Sequence, residues 1–153
     1  MTIKFVHLLT LVVWFGGMIF FSFIAAPSIF KILPKEDAGD VVGEIFPKYY
    51  FIGYVASLTL LGTLFKIGEG NFRVIPPMSI LAIMSGLTFY SGLIVGPKVR
   101  KMKAKMRETS DEAQKEELEI SFKRTHSFSM ILNVSVIGLS IVYLAFVPLI
   151  FLL

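Results

Sequence analysis

The amino-acid sequence predicts an all-α integral membrane protein, a bundle of four transmembrane helices in one domain, 1–153. Three observations predict it. Hydrophobic residues make up 55% of the 153-residue chain and charged residues 17%, against ~45–50% and ~25% in an ordinary soluble domain. The apolar residues gather into four long runs free of Asp, Glu, Lys and Arg. Those runs are too long and continuous for barrel strands of ~9–11 alternating residues, so helices are left to satisfy the backbone in lipid. The same pattern excludes a water-soluble enzyme, a disordered chain and a disulfide scaffold. With no cysteine, thiolate nucleophiles and Cys-based zinc or iron–sulfur sites are excluded as well.

The first span is expected over 5–30. A helix needs ~20 apolar residues to cross ~30 Å of hydrocarbon, so this run crosses with tilt. It exceeds the ~7–15-residue core of a signal peptide, so Ala25-Ala26 is not expected to mark a cleavage site. In loop one, Val41, Val42, Ile45 and Phe46 recur at helical spacing among charged residues. That pattern predicts a short interfacial helix between spans one and two, ended by Pro47.

The second span is expected over 49–67, with Lys66 snorkelling at its end. The third, 74–97, opens with Pro76-Pro77, which suit a helix's first turn. Beyond it lie six basic residues, Lys98, Arg100, Lys101, Lys103, Lys105 and Arg107. Thr109 and Glu112 then fit a capping box, and Asp111–Lys115 and Glu119–Lys123 fit i,i+4 pairs. A helical hairpin between helices three and four follows, standing off the membrane on the cytoplasmic side. The fourth span is expected over 127–153. No internal repeat is visible.

Orientation follows from Lys and Arg bias. Lys4, Lys66 and Arg73 fall on the side of the termini, and the other twelve fall in loops 31–48 and 98–124. Both loops are therefore expected to be cytoplasmic, with both termini outside the cytoplasmic (inner) membrane.

The polar residues within the runs carry what chemistry there is. Charged residues in spans mark ion pathways and proton relays, and the runs hold none. His7 and Trp14 are seven apart, on one face of helix one. In helix four, His126, Ser129, Asn133 and Ser140 form a stripe expected to face the interior and bond across helices, at ~0.6 kcal/mol per bond. Gly92 and Gly96 form a GxxxG preceded by Ala82 and Gly86, and Gly16-Gly17 smooth helix one. Such surfaces serve packing within a chain or between copies. The six basic residues are a topology determinant and a contact for anionic lipid headgroups, at ~1 kcal/mol each. They lack interleaved aromatics, so no nucleic-acid partner is expected. No nucleophile–base pair, carboxylate pair or phosphate loop is present, so the chain reads as a non-enzyme.

A bis-His haem is ruled out by distance, since His7 and His126 should sit ~25 Å apart along the span. Met78 lies at roughly the depth of His7, so His7 with Met78 is the candidate pair for haem b or Cu(I). Met102, Met106 and Met130 lie near His126. Met is also an ordinary core filler, so the commoner expectation is no cofactor, with His7 bonded to a neighbouring helix.

His7, Trp14-Phe15-Gly16-Gly17, Phe46-Pro47-Lys48-Tyr49-Tyr50 and Thr125-His126-Ser127-Phe128-Ser129 with Asn133 carry a resemblance. Over nearly its whole length the chain resembles the membrane family called domain of unknown function 4149, which includes transmembrane protein 205-like chains. The first-helix signature is also similar to the copper-resistance protein D family and to membrane-bound haem-biosynthesis protoporphyrinogen oxidases. These resemblances imply copper handling, haem binding or a four-helix module without an established reaction. The expected function is a structural or accessory module, or a metal- or small-solute-resistance factor. It is expected to self-associate or to join a larger membrane complex. A haem- or copper-binding protein using His7 is the second expectation, and a passive transport component the third.

Overall fold

A computed structural model of the chain describes residues 2–152. Its regular structure there is helical: α1 Thr2–Phe20, a π-helical turn Phe21–Ala25, α2 Ala26–Ile32, α3 Lys35–Ile67, a 3-10 turn Phe72–Val74, α4 Ile75–Tyr90, a second π-helical turn Ser91–Val95, α5 Gly96–Glu108, α6 Glu112–Leu144 and α7 Val147–Leu152. α1 to α6 with the turns between them form four helices long and apolar enough to cross a membrane; the fourth ends at Leu144, so the expected span 127–153 is broken by a turn before α7. Leu153, the last residue of the expected fourth span, lies outside the described residues.

Each π turn has a local cause. A proline ring strikes the carbonyl four residues back. For Pro27 and Pro97 those carbonyls belong to Phe23 and Leu93, both inside a π turn. Widening the turn lets the helix run past the proline without breaking. Pro76 and Pro77 sit in the first turn of α4, where no N–H is missed. Between α3 and α4, Gly70 takes φ 80°, a left-handed conformation open to glycine.

The expected short interfacial helix ended by Pro47 is corrected. Residues 35–67 form one 33-residue helix with Pro47 inside it. Side chains on both sides of Pro47 join one aromatic cluster: Phe46 lies 5.4 Å and Tyr49 5.2 Å from Phe21, ring centre to ring centre. That packing holds the two halves in line, and Pro47 itself points outward. At ~1.5 Å per residue a 33-residue helix is ~50 Å long, well beyond the hydrocarbon. Its charged first third therefore stands clear of the spans.

The start of the fourth long helix is also corrected. Asp111, not Thr109, caps α6, its side chain accepting from the N–H groups of Ala113 and Gln114. Lys115 pairs with Glu112 at 3.9 Å, while Glu119–Lys123 forms at 2.8 Å. Thr109 ends α5 in an extended conformation, which leaves the capping to the carboxylate next to the helix.

The structure carries a repeat of position that the sequence does not show in its residues. The two π turns stand 70 residues apart. Buried positions repeat at the same offset: His7 and Pro77, Leu11 and Leu81, Trp14 and Met84, Met18 and Thr88, Phe21 and Ser91. Each of these helices leads into a 33-residue partner, α3 or α6. The repeat lies in burial and backbone, not in residue identity.

Helix α1 packs on α3, α3 on α4, and α4 on α6. The core joins Leu11, Trp14 and Met18 to Leu60, Leu64, Leu81, Met84, Val136 and Tyr143. Outward faces carry Phe5, Phe20, Phe23, Phe51 and Ile83, all exposed, as a lipid-facing belt requires.

Candidate functional site

Two polar clusters are built into the apolar bundle. The first centres on His7, fully buried on α1. Its Nδ1 lies 2.7 Å from the Thr63 hydroxyl and its Nε2 2.8 Å from the Tyr143 hydroxyl. The single Thr63 proton is donated back to the Thr59 carbonyl at 2.7 Å. With that proton on the Thr59 carbonyl, Thr63 accepts from His7 Nδ1–H and Nε2 accepts from Tyr143; the other tautomer reverses both bonds, and either way both ring nitrogens are engaged. Beside it, Lys4 donates to the Phe151 carbonyl at 3.0 Å, so the two chain ends meet at one end of the bundle.

This arrangement does not fit His7 as a haem or copper ligand. Both ring nitrogens are engaged, Nδ1 by Thr63 and Nε2 by Tyr143, so neither is open to a metal. Met78 is half-buried against the core, with no bond to the histidine. His126 is separated from Tyr143 by 17 residues of α6, ~25 Å of helical rise, so it belongs to another region.

The second cluster lies at the middle of the bundle. Tyr49 donates to Asn133 Oδ1 at 2.5 Å, and Asn133 Nδ2 donates to Ser22 at 2.9 Å. These bonds tie α3, α6 and the first π turn together. Next to them is Tyr50, 5% exposed, whose hydroxyl has no hydrogen-bond partner among the described residues. Ser129 and Ser91 lie beside it, close enough to interact with the hydroxyl.

Three cavities meet at Tyr50. The largest, about 320 Å³, runs between the first π turn, α3 and α6 past Phe23, Phe30, Met130 and Val134. A second, about 90 Å³, lies between α3, α5 and α6 under Arg100 and Lys103. Both are lined by Val42, Phe46, Tyr50, His126 and Ser129. A third, about 10 Å³, reaches Trp14 and Asn133. The largest is within the ~300–1,000 Å³ of small-molecule sites, which are mostly apolar with few polar groups.

The charged end is organised by Asp40. Lys103 donates to it at 2.7 Å, and Arg107 donates to both its oxygens, at 2.8 and 2.6 Å. These bonds, Lys103 first, hold the Asp40 carboxyl below the usual carboxylate range. Its stabilising contribution is present above the unfolded carboxylate's value and is lost as pH falls through the lower folded value. Asp40→Asn should therefore speed amide exchange in α5 at neutral pH, with the difference from wild type vanishing in strong acid. Hydrogen exchange followed across pH checks this, and a difference that persists in acid would refute it.

The basic residues thus divide. Lys103 and Arg107 are held in ion pairs, while Lys98, Arg100, Lys101 and Lys105 make none among the described residues. The glycines divide as well. Gly92 packs inward, where an added Cβ would collide with the Tyr54 hydroxyl and meet Tyr50 at 2.8 Å, and one at Gly96 would meet the Ser91 carbonyl oxygen at 3.3 Å and Arg100 Nη1 at 3.5 Å. Gly16, Gly17 and Gly86 have open space beside them. Gly86 and Gly92 are six residues apart, about 240° around a helix, so they do not continue one stripe.

Along the α6 stripe, Asn133 bonds across helices, Ser129 lines the cavities, and His126 stacks on Phe122 at 5.8 Å. Ser140 is buried but donates to its own Val136 carbonyl. Sequence reasoning passed over Tyr50, Tyr143 and Thr63. For Tyr50 a signal existed in the aromatic residues Phe46, Tyr49 and Tyr50 on either side of Pro47. For Tyr143 and Thr63 no sequence signal existed, because their role depends on which helix faces His7.

The family described as Domain of unknown function (DUF4149) matches residues 9–108. An uncharacterized protein of Aquifex aeolicus (strain VF5) is 30% identical over 122 residues, covering 80% of this chain and 79% of that protein. No solved structure matches.

Proposed function

The chain belongs to the family described as Domain of unknown function (DUF4149), and from that premise we propose that it is a non-enzymatic module of the cytoplasmic membrane that binds a small hydrophobic solute. The proposed site is the cavity at Tyr50. The observation that carries this reading is the pair of largely apolar cavities, about 320 and 90 Å³, walled in common by Val42, Phe46, Tyr50, His126 and Ser129. A solute held there suits an accessory or small-solute-resistance role. A metal-resistance role through His7 is disfavoured by the occupied ring nitrogens.

Gly43 supplies the test. It lines the second cavity and has nothing within 4 Å of an added Cβ, so a larger side chain enters the space without a clash. Native mass spectrometry of the purified protein should show a small hydrophobic adduct that Gly43→Phe removes. A wild-type spectrum without any adduct, including after incubation with hydrophobic solutes, would overturn the reading.

In this proposal loops 31–48 and 98–124 face the cytoplasm and both termini face outward, as the basic residues favour. A membrane-impermeant amine label applied to intact cells should modify Lys4 and spare Lys105. The reverse pattern would invert the topology. Association with a second copy or a larger complex falls to the open Gly16-Gly17 face, because Gly92 is used inside the bundle.

A further inference from the structure

A separate groove of about 680 Å³ runs between α5 and α6. It shares no lining residue with the cavities at Tyr50, so what it binds is independent of the small-solute reading above. Lys98 lines it from α5 and Arg124 from α6. Lys98 directly follows the uncharged run 74–97, and Arg124 is the last Lys or Arg before the run that opens at Ser127. Both cations therefore stand where the hydrocarbon gives way to the headgroups. Neither makes an ion pair among the described residues, whereas Lys103 and Arg107 are committed to Asp40 and Lys123 to Glu119. No Asp or Glu is among the residues lining the groove. Ser121 and Thr125, one turn apart on α6, add two hydroxyl donors.

The rest of the same groove is apolar. Ile94 lies one turn before Lys98, and Phe128 one turn after Arg124. With Tyr90 and Ile131 they line the groove, and all four are exposed on the outer surface. The Tyr90 and Phe128 rings meet edge to face, 6.4 Å between centres, so the third and fourth long helices form one continuous apolar floor. The groove is thus cationic at the membrane surface and runs directly into the lipid-facing side of the bundle. Both halves belong to one cavity.

We infer that this groove seats the headgroup phosphate of one anionic glycerophospholipid, with its acyl chains lying outside the bundle along Tyr90, Ile94, Phe128 and Ile131. Charge complementarity selects the occupant. A guanidinium offers a phosphate two parallel donors, and a lysine adds a point charge; basic pockets between membrane helices hold headgroups in this way. A zwitterionic lipid brings an ammonium group that two cations repel and no lining carboxylate accepts. A soluble phosphate would use the cations but gain nothing from the apolar floor. The basic run is therefore not uniform in its use. Lys98 acts with Arg124 of the facing helix on a single lipid, while Lys101 and Lys105, outside the groove, add only diffuse attraction.

Native mass spectrometry supplies the test. The full-length protein in a non-ionic detergent is titrated with phosphatidylglycerol and, separately, with phosphatidylcholine of the same acyl chains. The first phosphatidylglycerol should bind roughly thirtyfold more tightly, as two uncompensated basic residues at the membrane surface imply. The double variant Lys98→Gln/Arg124→Gln should lose that preference. Lys101→Gln/Lys105→Gln removes the same charge from outside the groove and should keep it. All four side chains are exposed, so both variants keep the fold, which an unchanged helical signal and melting temperature check. A large excess of glycerol 1-phosphate should leave the lipid adduct in place. Equal binding of the two lipids, or an equal loss of preference in the two double variants, overturns the groove as the site. Displacement by glycerol 1-phosphate overturns the lipid as its occupant. Each of these results leaves the small-solute reading at Tyr50 untouched.

Discussion

Replacing His7 with alanine lowers the stability of the bundle by about 3 kcal/mol. Two costs add. The ring is fully buried, so its loss leaves a hole that rigid neighbouring helices close only in part. The Thr63 oxygen and the Tyr143 hydroxyl are also left without their shared partner. Tyr143→Phe removes one hydrogen bond and keeps the ring, so it should cost about 0.6–1.7 kcal/mol, the range for such bonds in membranes. The double variant should cost less than the sum, since the two side chains contact each other. Unfolding by a denaturing detergent, followed by loss of helical signal, measures all three. Equal effects of His7→Ala and Tyr143→Phe would refute the hydrogen-bonded chain. Were His7 instead a metal ligand, the His7→Ala penalty would depend on metal supply, and this geometry predicts no such dependence.

Gly92→Val should destabilise by about 3 kcal/mol, the upper part of the usual overpacking range. The new Cβ would collide with the Tyr54 hydroxyl and would also meet the Cβ and Cγ of Tyr50, each at 2.8 Å. Those atoms are the base of a ring already wedged against Phe46 and Tyr49, so they cannot swing away. Gly86→Ala, one and a half turns earlier on the same helix, should be neutral or stabilising by up to ~1 kcal/mol. Its Cβ meets nothing within 4 Å, and the helix loses backbone freedom in the unfolded state. Thermal unfolding of the two variants in mild detergent separates them. A tolerant Gly92 would mean that α4 and α3 approach less closely than shown, and would return that glycine to an interface between copies.

The same contrast shows what a sequence can say about small residues. Spacing marked Gly92 and Gly96 as a close-packing surface, and they do approach other side chains. It could not say whose, because a helix face is assigned only once its neighbours are fixed. The π turn Ser91–Val95 adds to this, since it shifts the register between Gly86 and Gly92 beyond what a uniform helix implies.

The sequence by itself determined that four apolar helices form and where they lie along the chain. Long uncharged runs leave the backbone no other way to be satisfied in lipid. It also determined that the intervening segments carry the charge, and that Pro76-Pro77 open a helix. It misjudged Pro47, because local propensity treats a proline as a stop, while packing of Phe46, Tyr49 and Phe21 holds the helix straight through it. It hid the repeat, because the buried pairs His7 and Pro77 or Trp14 and Met84 share position but not chemistry. Only the tertiary structure decided that His7 is closed off between Thr63 and Tyr143. Only it decided that Tyr50 is buried between Ser91 and Ser129 as a shared wall of three cavities. Those outcomes depend on pairs 50 to 140 residues apart, brought together by how the helices pack, and no local pattern of residues encodes that.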